Sequence, residues 1–434
     1  TGSCNVIIGE NSQVATATGS NQFIIGMGGN KWICGDSNYN IYDKDGNQLN
    51  GGGGGSGGCL KLDADVNLYS DGTCSGCNFD GTNACFNILL GACAGKSVTS
   101  GEDNIAIGCC ALGGQTVTCD GNIAIGKRSG EGVTSGKVNV FVGNNSGQSN
   151  CTGNHNTFLG NAAGYVNTTG SCNVAIGHHA LLDNTTASHN TAVGHCAGAS
   201  VKTASENTFV GSCAGKCTEG SANTFIGACA GKYNHSSNNS VIIGKLAGAN
   251  TSGGTGASVV IGNGADEGIG QSGYNVFIGQ GAAYANGESK CNVYIGRGSG
   301  SNTCQANENV FVGNCSASCI CNGDRNVILG ACAAMAITNG CCNVAIGYNV
   351  QLPSATSNNT LSIGAGTNRW ITGDSSYNIK PGRGITDCDG STGTSGQVLS
   401  STGGDYVKWT AASGGGGGSG VSQAKATAIS MIFG

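Results

Sequence analysis

Residues 156–198 read NTFLGNAAGYVNTTGSCNVAIGHHALLDNTTASHNTAVGHCAG, one phrase written three times: Asn, three apolar-leaning residues, Gly, two variable residues, Ala. With the terminal Gly of each copy taken as position 0, the copies fall at Gly160, Gly177 and Gly194, 17 residues apart. The same frame runs from Gly91 to Gly364 and gives seventeen coils, with steps of 17 except for 18 at Gly126 and Gly262 and 16 at Gly227. One short unit at near-constant spacing is the mark of a solenoid, in which each coil contacts only its neighbours.

The columns of the repeat choose between strand and helix. Position −1 is Ile, Val or Leu in every coil, and position −3 is β-branched or otherwise apolar throughout, as in Ile105, Val174 and Leu361. These two positions alternate with −2, so they share one face of a strand. The expectation is an all-β parallel β-solenoid, or β-roll, of about 17 residues per coil with −1 and −3 inside. Position −2 then faces outward although it too is apolar, at Phe141, Phe158, Phe209, Phe225, Phe277 and Phe311. A strand apolar on both faces needs cover on both. These phenylalanines are therefore predicted to form an oligomer interface between copies of the chain, in a side-by-side homotrimer.

Position −4 is Asn in fifteen of nineteen coils, counting two that end at Gly9 and Gly26. Stacked Asn amides form hydrogen-bonded ladders, and Asn tolerates the left-handed backbone of a tight corner. Gly at 0 suits a second corner or a close backbone approach. With about 4.8 Å per coil, seventeen coils make a rod on the order of 80 Å long.

Outward from the repeat, one ending occurs twice. NKWICGDSNYNI (30–41) follows Gly26 as NRWITGDSSYNI (368–379) follows Gly364, and each is followed later by a GGGGGSG run. Trp32 and Trp370 read as aromatic caps over open solenoid ends, where an unpaired strand edge calls for cover. The chain divides into the end of a first solenoid (1–29), a Trp cap and turn (30–50), a Gly-rich linker (51–58) and a strand-bearing cap (59–84). The main solenoid follows (85–367), then a Trp cap with a small β region anchored by Trp409 (368–413), a second linker (414–420) and a strand or tail (421–434). Thr1 falls inside a repeat, which suggests a processed product or a fragment of a longer fibre.

Composition excludes several function classes. The 434 residues hold 81 Gly, 2 Pro and 25 Cys, with 10% charged and 6% aromatic residues. Such a chain supports a thin repeated core and not a large globular one. A net charge of −5 without a Lys/Arg run argues against nucleic acid. No stretch reaches the roughly 18 consecutive apolar residues that would insert into a membrane.

The column pattern N-V-A-I-G-x-x-A, clearest at NVAIG 173–177 and 343–347, resembles the head repeat of trimeric autotransporter adhesins. The 17-residue coil, the WI-GDS-YNI ending and GTSGQVL (393–399) look more like bacteriophage tail-fibre proteins carrying the same repeat. Membrane-anchor barrel and coiled-coil heptads, which the adhesins carry, are not found here. The resemblance implies a trimeric surface fibre that works by binding, at a virion surface or extracellularly, with a host glycan or protein as partner and no cofactor or catalysis. The alternatives are a subunit of a cellular extracellular filament joined end to end, and a polysaccharide depolymerase on a β-helix. A hexapeptide acyltransferase would need about three aliphatic hexads per coil, where only one strand is strictly aliphatic.

Cysteines are the strongest candidates for chemistry. Seven share position +2 (Cys93, Cys110, Cys196, Cys213, Cys229, Cys315 and Cys332) and four share −5 (Cys4, Cys172, Cys291 and Cys342). Coil spacing brings same-column Cα atoms into disulfide range, so disulfides, small buried thiols and metal ligation all stay open. His179, Cys196, Cys213 and Cys229 stand at +2 in four successive coils and are the weak metal candidates, while His178 and His195 share +1. Cys74 and Cys77, with Cys59 and Cys85, form a CxxC group that reads as a pinned cap more readily than a zinc site. Asp43-Lys44-Asp45-Gly46-Asn47 reads as a turn, lacking the later Gly and Glu of a calcium loop. No recurring carboxylate pair or phosphate-binding GxxxxGK[ST] is present.

Overall fold

The structure, a computed structural model, describes residues 84–250, 256–268, 273–285 and 287–382, with shorter segments at 6–8, 23–27, 30–35, 41–43, 60–62, 67–70, 74–78, 385, 389–391, 394, 397–401 and 407–411. The linkers 51–58 and 414–420, the tail 421–434, Cys4, Cys59 and residues 44–47 lie outside these, as does the Trp32 side chain. No helix occurs among the described residues; the chain is a parallel β-solenoid.

The opening elements are β1 (Val6–Ile8), β2 (Phe23–Met27), β3 (Asn30–Gly35), β4 (Ile41–Asp43), β5 (Leu60–Leu62) and β6 (Leu68–Ser70). From β7 (Ile88–Leu90) to β22 (Val344–Ile346) each coil contributes one three-residue strand at −3 to −1, followed by β23 (Leu361–Ala365), β24 (Asn368–Gly373) and β25 (Ile379–Pro381). The glycines from Gly91 to Gly364 thus bound sixteen full turns. Neighbouring strands pair in parallel with like positions opposed, as in Val174↔Thr191, Ala175↔Ala192 and Ile176↔Val193. The off-length coils keep this register, as Ile105↔Ile123, Thr208↔Thr224 and Val241↔Val259 show, so the polar loops absorb the extra or missing residue.

The assignment of faces from sequence is reversed. In every coil strand from β7 to β22 the middle residue, −2, is buried, and −3 and −1 are partly or largely exposed. Phe141, Phe158, Phe209, Phe225, Phe277 and Phe311, expected at an oligomer interface, are fully buried within their own coils. They stack along the rod axis: ring centroids are 5.5 Å apart for Phe141 and Phe158, and 4.6 Å apart for Tyr294 and Phe311. A three-residue strand can send only its centre to one side. The turn after Gly 0 brings buried +3 and +4 over that centre, and this fixes which side is inside.

Inner volumes are matched between −2 and +4. Where −2 is Phe in coils Gly143, Gly160, Gly211 and Gly227, +4 is Gly; a Cβ on Gly130 or Gly198 would press on Phe141 or Phe209 of the adjoining coil and on a leucine. Those leucines, Leu112 and Leu181, occupy +4 in the coils whose −2 is Ala106 and Ala175. Each fills its own coil and the space left by Ala124 or Ala192 in the next, so from the coil of Gly108 to that of Gly227 the core runs twice through Ala/Leu, Ala/Gly, Phe/Gly, Phe/Gly; beyond it the pairs change, to Ile242/Gly248, Val260/Asp266 and Phe277/Ala283.

The Asn column is a continuous buried ladder. Asn156 N donates to Asn139 Oδ1 (2.9 Å), Asn173 N to Asn156 Oδ1 (3.0 Å), and their Nδ2 groups reach forward to a carbonyl, as Asn156 Nδ2 does to Gly170 O (2.8 Å); Asn207 Nδ2 is buried without such a partner. Ser240 and Ser258 continue it by accepting through their hydroxyls. The left-handed corner expected at Asn −4 falls one residue earlier: −5 has positive φ in residues as different as Val138, His155, Cys172 and Glu206. Gly 0 is required for space. At Gly160, φ is +140° and an added Cβ would lie 2.5 Å from the Gly177 carbonyl oxygen, in a stack of coil backbones.

At the far end, β24 runs antiparallel to β23 with a bulge at Ile363/Gly364 and leads into β25. The first module repeats this pairing, β2 with β3, with its bulge at Ile25/Gly26. Trp370 does not plug the core: it is 66% exposed. The end is closed by the backbone of β24, because an antiparallel strand satisfies the edge donors and acceptors without a side chain. The GDSSYN motif makes the following turn, where Asp374 Oδ1 accepts from Ser376 N (2.9 Å) and Asn378 N (3.0 Å). At the near end, the antiparallel hairpin of β5 and β6 pairs in parallel with β7. Beyond the solenoid, β26 (Gln397–Ser401) and β27 (Val407–Ala411) form a hairpin whose Trp409 Nε1 donates to Ile385 O (2.8 Å).

Candidate functional site

With −2 turned inward, the outer surface of the strand ladder is made by −3 and −1, the second apolar in every coil and the first in all but four. Ile107, Ile125, Leu159, Val210, Ile226 and Ile295 are between 36% and 43% exposed although neighbouring coils flank each of them. At −3, Val or Ile alternates with stretches of Thr, as at Thr191, Thr208 and Thr224. No Lys, Arg, Asp or Glu interrupts either column from β7 to β23. The result is a flat apolar face about 80 Å long and roughly 10 Å wide. Monomeric proteins rarely expose a continuous patch larger than a few hundred Å².

Around the corner from this face stands the +2 column. Its residues all have positive φ, including Cys93, Cys110, His179, Cys196, Cys213, Cys229, Cys315 and Cys332. Cys74 belongs to the same column, because Gly76 N donates to Ala94 O as Gly95 N does to Ala111 O. The 21 cysteines whose side chains the structure describes are free thiols. Most are at least partly exposed; Cys119 is buried, accepts from Asn122 Nδ2 (3.2 Å), and is pushed up to about 11 by burial. Burial, and then the hydrogen bond shared with Cys109, raise the Cys110 thiol. Cys77 is raised by burial and by its neighbour Cys74.

His178, His179 and His195 form a surface stack, with centroids 3.7 Å apart for the first two and 5.3 Å for His178 and His195. Cys196 Sγ lies 3.6 Å from His195 Nε2. Burial, and then repulsion from the other two imidazoles, hold the His179 pKa below the ordinary value. Yet no group of three or more His, Cys, Asp or Glu is gathered to hold a metal ion among the described residues. His179, Cys196, Cys213 and Cys229 line up one per coil along the axis, and a straight column does not converge on a point. Cys74 and Cys77 are likewise adjacent without forming such a group.

Beside the exposed Trp370 lies a cleft of about 780 Å³ lined by Asn368, Arg369, Thr372 and Lys380. Arg369 Nη2 is committed to Gln351 O (3.0 Å), which ties β24 to the last coil.

No family model, curated protein or solved structure matches this chain. The functional reading therefore rests on the rod itself. Sequence reasoning expected an outward apolar face on the strands and assigned it to the −2 phenylalanines, which the structure buries; the face that is outward is made by −3 and −1. The signal that separates the faces was present in the sequence: −2 changes in volume together with +4, while −1 and −3 do not.

Proposed function

We propose that the protein is a structural rod, a non-enzymatic fibre subunit that associates side by side with copies of itself through the −1/−3 face. One observation carries this reading: an uncharged face, apolar except for four threonines at −3, runs along the solenoid. Its roughly 800 Å² matches the area that each partner of a stable interface commonly buries. Because all coils share one register, parallel copies can meet layer by layer, Ile and Val against Ile and Val. Three copies around a common axis would bury one such face each, the arrangement implied by the repeat's resemblance to trimeric adhesin heads and phage tail fibres. In that reading the rod is part of a surface fibre, most nearly a phage tail fibre, and attaches to a glycan or protein of the host surface.

Sedimentation of the purified chain at micromolar concentration tests the assembly. A trimer is expected; a well-behaved monomer would overturn the reading. Replacing Leu159 and Val210 by Asp should lower the mass to that of one chain while the circular dichroism of the β-solenoid is kept. The same pair of substitutions on an outward face that bound nothing would leave the mass unchanged.

A further inference from the structure

Thiols of neighbouring coils face one another at several levels of the rod. Val193 of the strand at Thr191–Val193 pairs with Val210 of the next, so Cys196 and Cys213, three residues beyond each, occupy equivalent sites one coil apart. Their backbones match, with φ of 53° and 57°, and Cys213 N donates to His195 O (2.8 Å). The same offset from Val312↔Leu329 stacks Cys315 on Cys332, where Cys332 N donates to Asn314 O (2.8 Å). At +8, Cys304 N donates to Cys321 O (3.2 Å) and the two side chains are hydrogen-bonded.

The direction of the +2 thiols is shown at Gly298, the coil before Cys315. A Cβ built on Gly298 would stand 3.5 Å from Cys315 Sγ. In a formed disulfide a sulfur lies about 3 Å from its partner's Cβ. A +2 thiol therefore leans along the axis toward the site of its neighbour, and a rotation of the side chains closes the remaining gap. In-register parallel side chains alone would not bring the sulfurs together; rotation of the preceding coil's cysteine toward the leaning thiol does.

We propose that the rod is stapled coil to coil on oxidation, by disulfides Cys196–Cys213, Cys315–Cys332 and Cys304–Cys321 within one chain. The oxidant is a small disulfide such as oxidised glutathione. One protein thiolate attacks it to give a mixed disulfide and one glutathione thiolate. The facing protein thiolate then displaces the second glutathione, so one S–S bond is broken, one is formed, and two protons leave the protein thiols. Each staple bridges two consecutive coils. In a stack where each coil is held only by its neighbours, unzipping from an end stops at the first covalent link. Cys196 lies above the ordinary thiol range, through burial first and Cys213 second, so the exchange speeds up as pH rises.

The test uses the full chain. It is equilibrated natively with oxidised glutathione at pH 8.5, its remaining thiols are blocked with N-ethylmaleimide, and it is digested with trypsin. The peptide 203–216 carries Cys213 as its only cysteine, and Cys196 lies in 138–202. These two peptides should be recovered joined, and the link should vanish in Cys196→Ala, a residue that Ala162 already places at +2. The thermal midpoint of the oxidised chain should exceed that of the reduced chain, by less in the variant. Recovery of 203–216 blocked by maleimide, carrying glutathione, joined to 217–232 or joined to a second chain would overturn the proposal, as would persistence of the link in Cys196→Ala.

Discussion

The two sides of the same three-residue strands behave in opposite ways. The outer side, −3 and −1, is monotonous: Ile, Val, Leu and Thr at nearly constant size. The inner side, −2, runs from Ala to Phe and Tyr. A core of fixed cross-section accepts such variation only if another residue compensates within the same layer or the next, and +4 does so. An outer face that meets a flat partner has no such compensation and needs uniform height. Variation with a matching partner marks the inside of this rod; uniformity marks its outer face, the one we propose to meet another copy.

The sharpest way to break this comparison is to move one coil into another's pattern. Phe158→Ala should cost about 3–5 kcal/mol as a cavity. Gly164→Leu alone should also destabilise, since its side chain would run into the Phe158 ring. Together they reproduce the Ala175/Leu181 arrangement, and the double variant should recover roughly 2 kcal/mol of the summed losses. Denaturant unfolding of the four proteins measures this; additive losses would mean that −2 and +4 do not share one space. The outer counterpart is the Leu159→Asp and Val210→Asp pair. It should change the mass of the assembly while leaving the unfolding of the separated chain within about 0.5 kcal/mol, as surface changes do.

A smaller effect is expected where the buried polar columns are interrupted. Asn167 Nδ2 donates to Asn150 Oδ1 (2.6 Å) and Asn184 Nδ2 to Asn167 Oδ1 (2.7 Å), but Val201 stands next in that column. On one side of it Asn184 Oδ1, and on the other Thr218 Oγ1, are buried without a partner. Val201→Asn should connect both and raise stability by about 1 kcal/mol, the gain from satisfied polar groups being partly offset by lost apolar burial. A fall in the unfolding midpoint would show that the valine packing outweighs the ladder.

The smallest expected effect is from the histidine stack. His179 has a folded-state pKa below its unfolded value, so near pH 6 the unfolded chain binds more protons than the folded one. Stability should therefore decline as pH falls through about 6.5, the unfolded imidazole value, and level off below the folded one. His179→Asn, matching Asn145 at the same position, should flatten a plot of thermal midpoint between pH 7.5 and 5. An unchanged slope would remove His179 as the cause.

Much of this architecture was legible in one dimension. A period of 17 with alternation over −3, −2 and −1 required strands stacked in register, because nothing else places like residues every coil. The Asn column required a ladder, and the structure supplies it through Asn139, Asn156 and Asn173. The twice-written WI-GDS-YNI ending pointed to one closing device used twice, and the same antiparallel strand and bulge occur in both places. The cysteine columns were visible too, as stacks of one residue type.

What alternation could not decide was which side of the strand is the inside, since both sides are apolar and a period of two has no sign. That was settled by the turn after Gly 0, which folds +3 and +4 over Phe141 and its equivalents and leaves Ile107 and its equivalents outside. The cap was likewise decided in three dimensions: backbone pairing by β24 closes the edge, so Trp370 is free to face solvent. The lean of the +2 thiols along the axis depends on a left-handed backbone that no column of letters displays. Sequence by itself determined the repeat, its strands and its register, because these depend on neighbours along the chain and at one fixed spacing. Tertiary structure decided inside from outside, because that depends on where the chain turns back over itself.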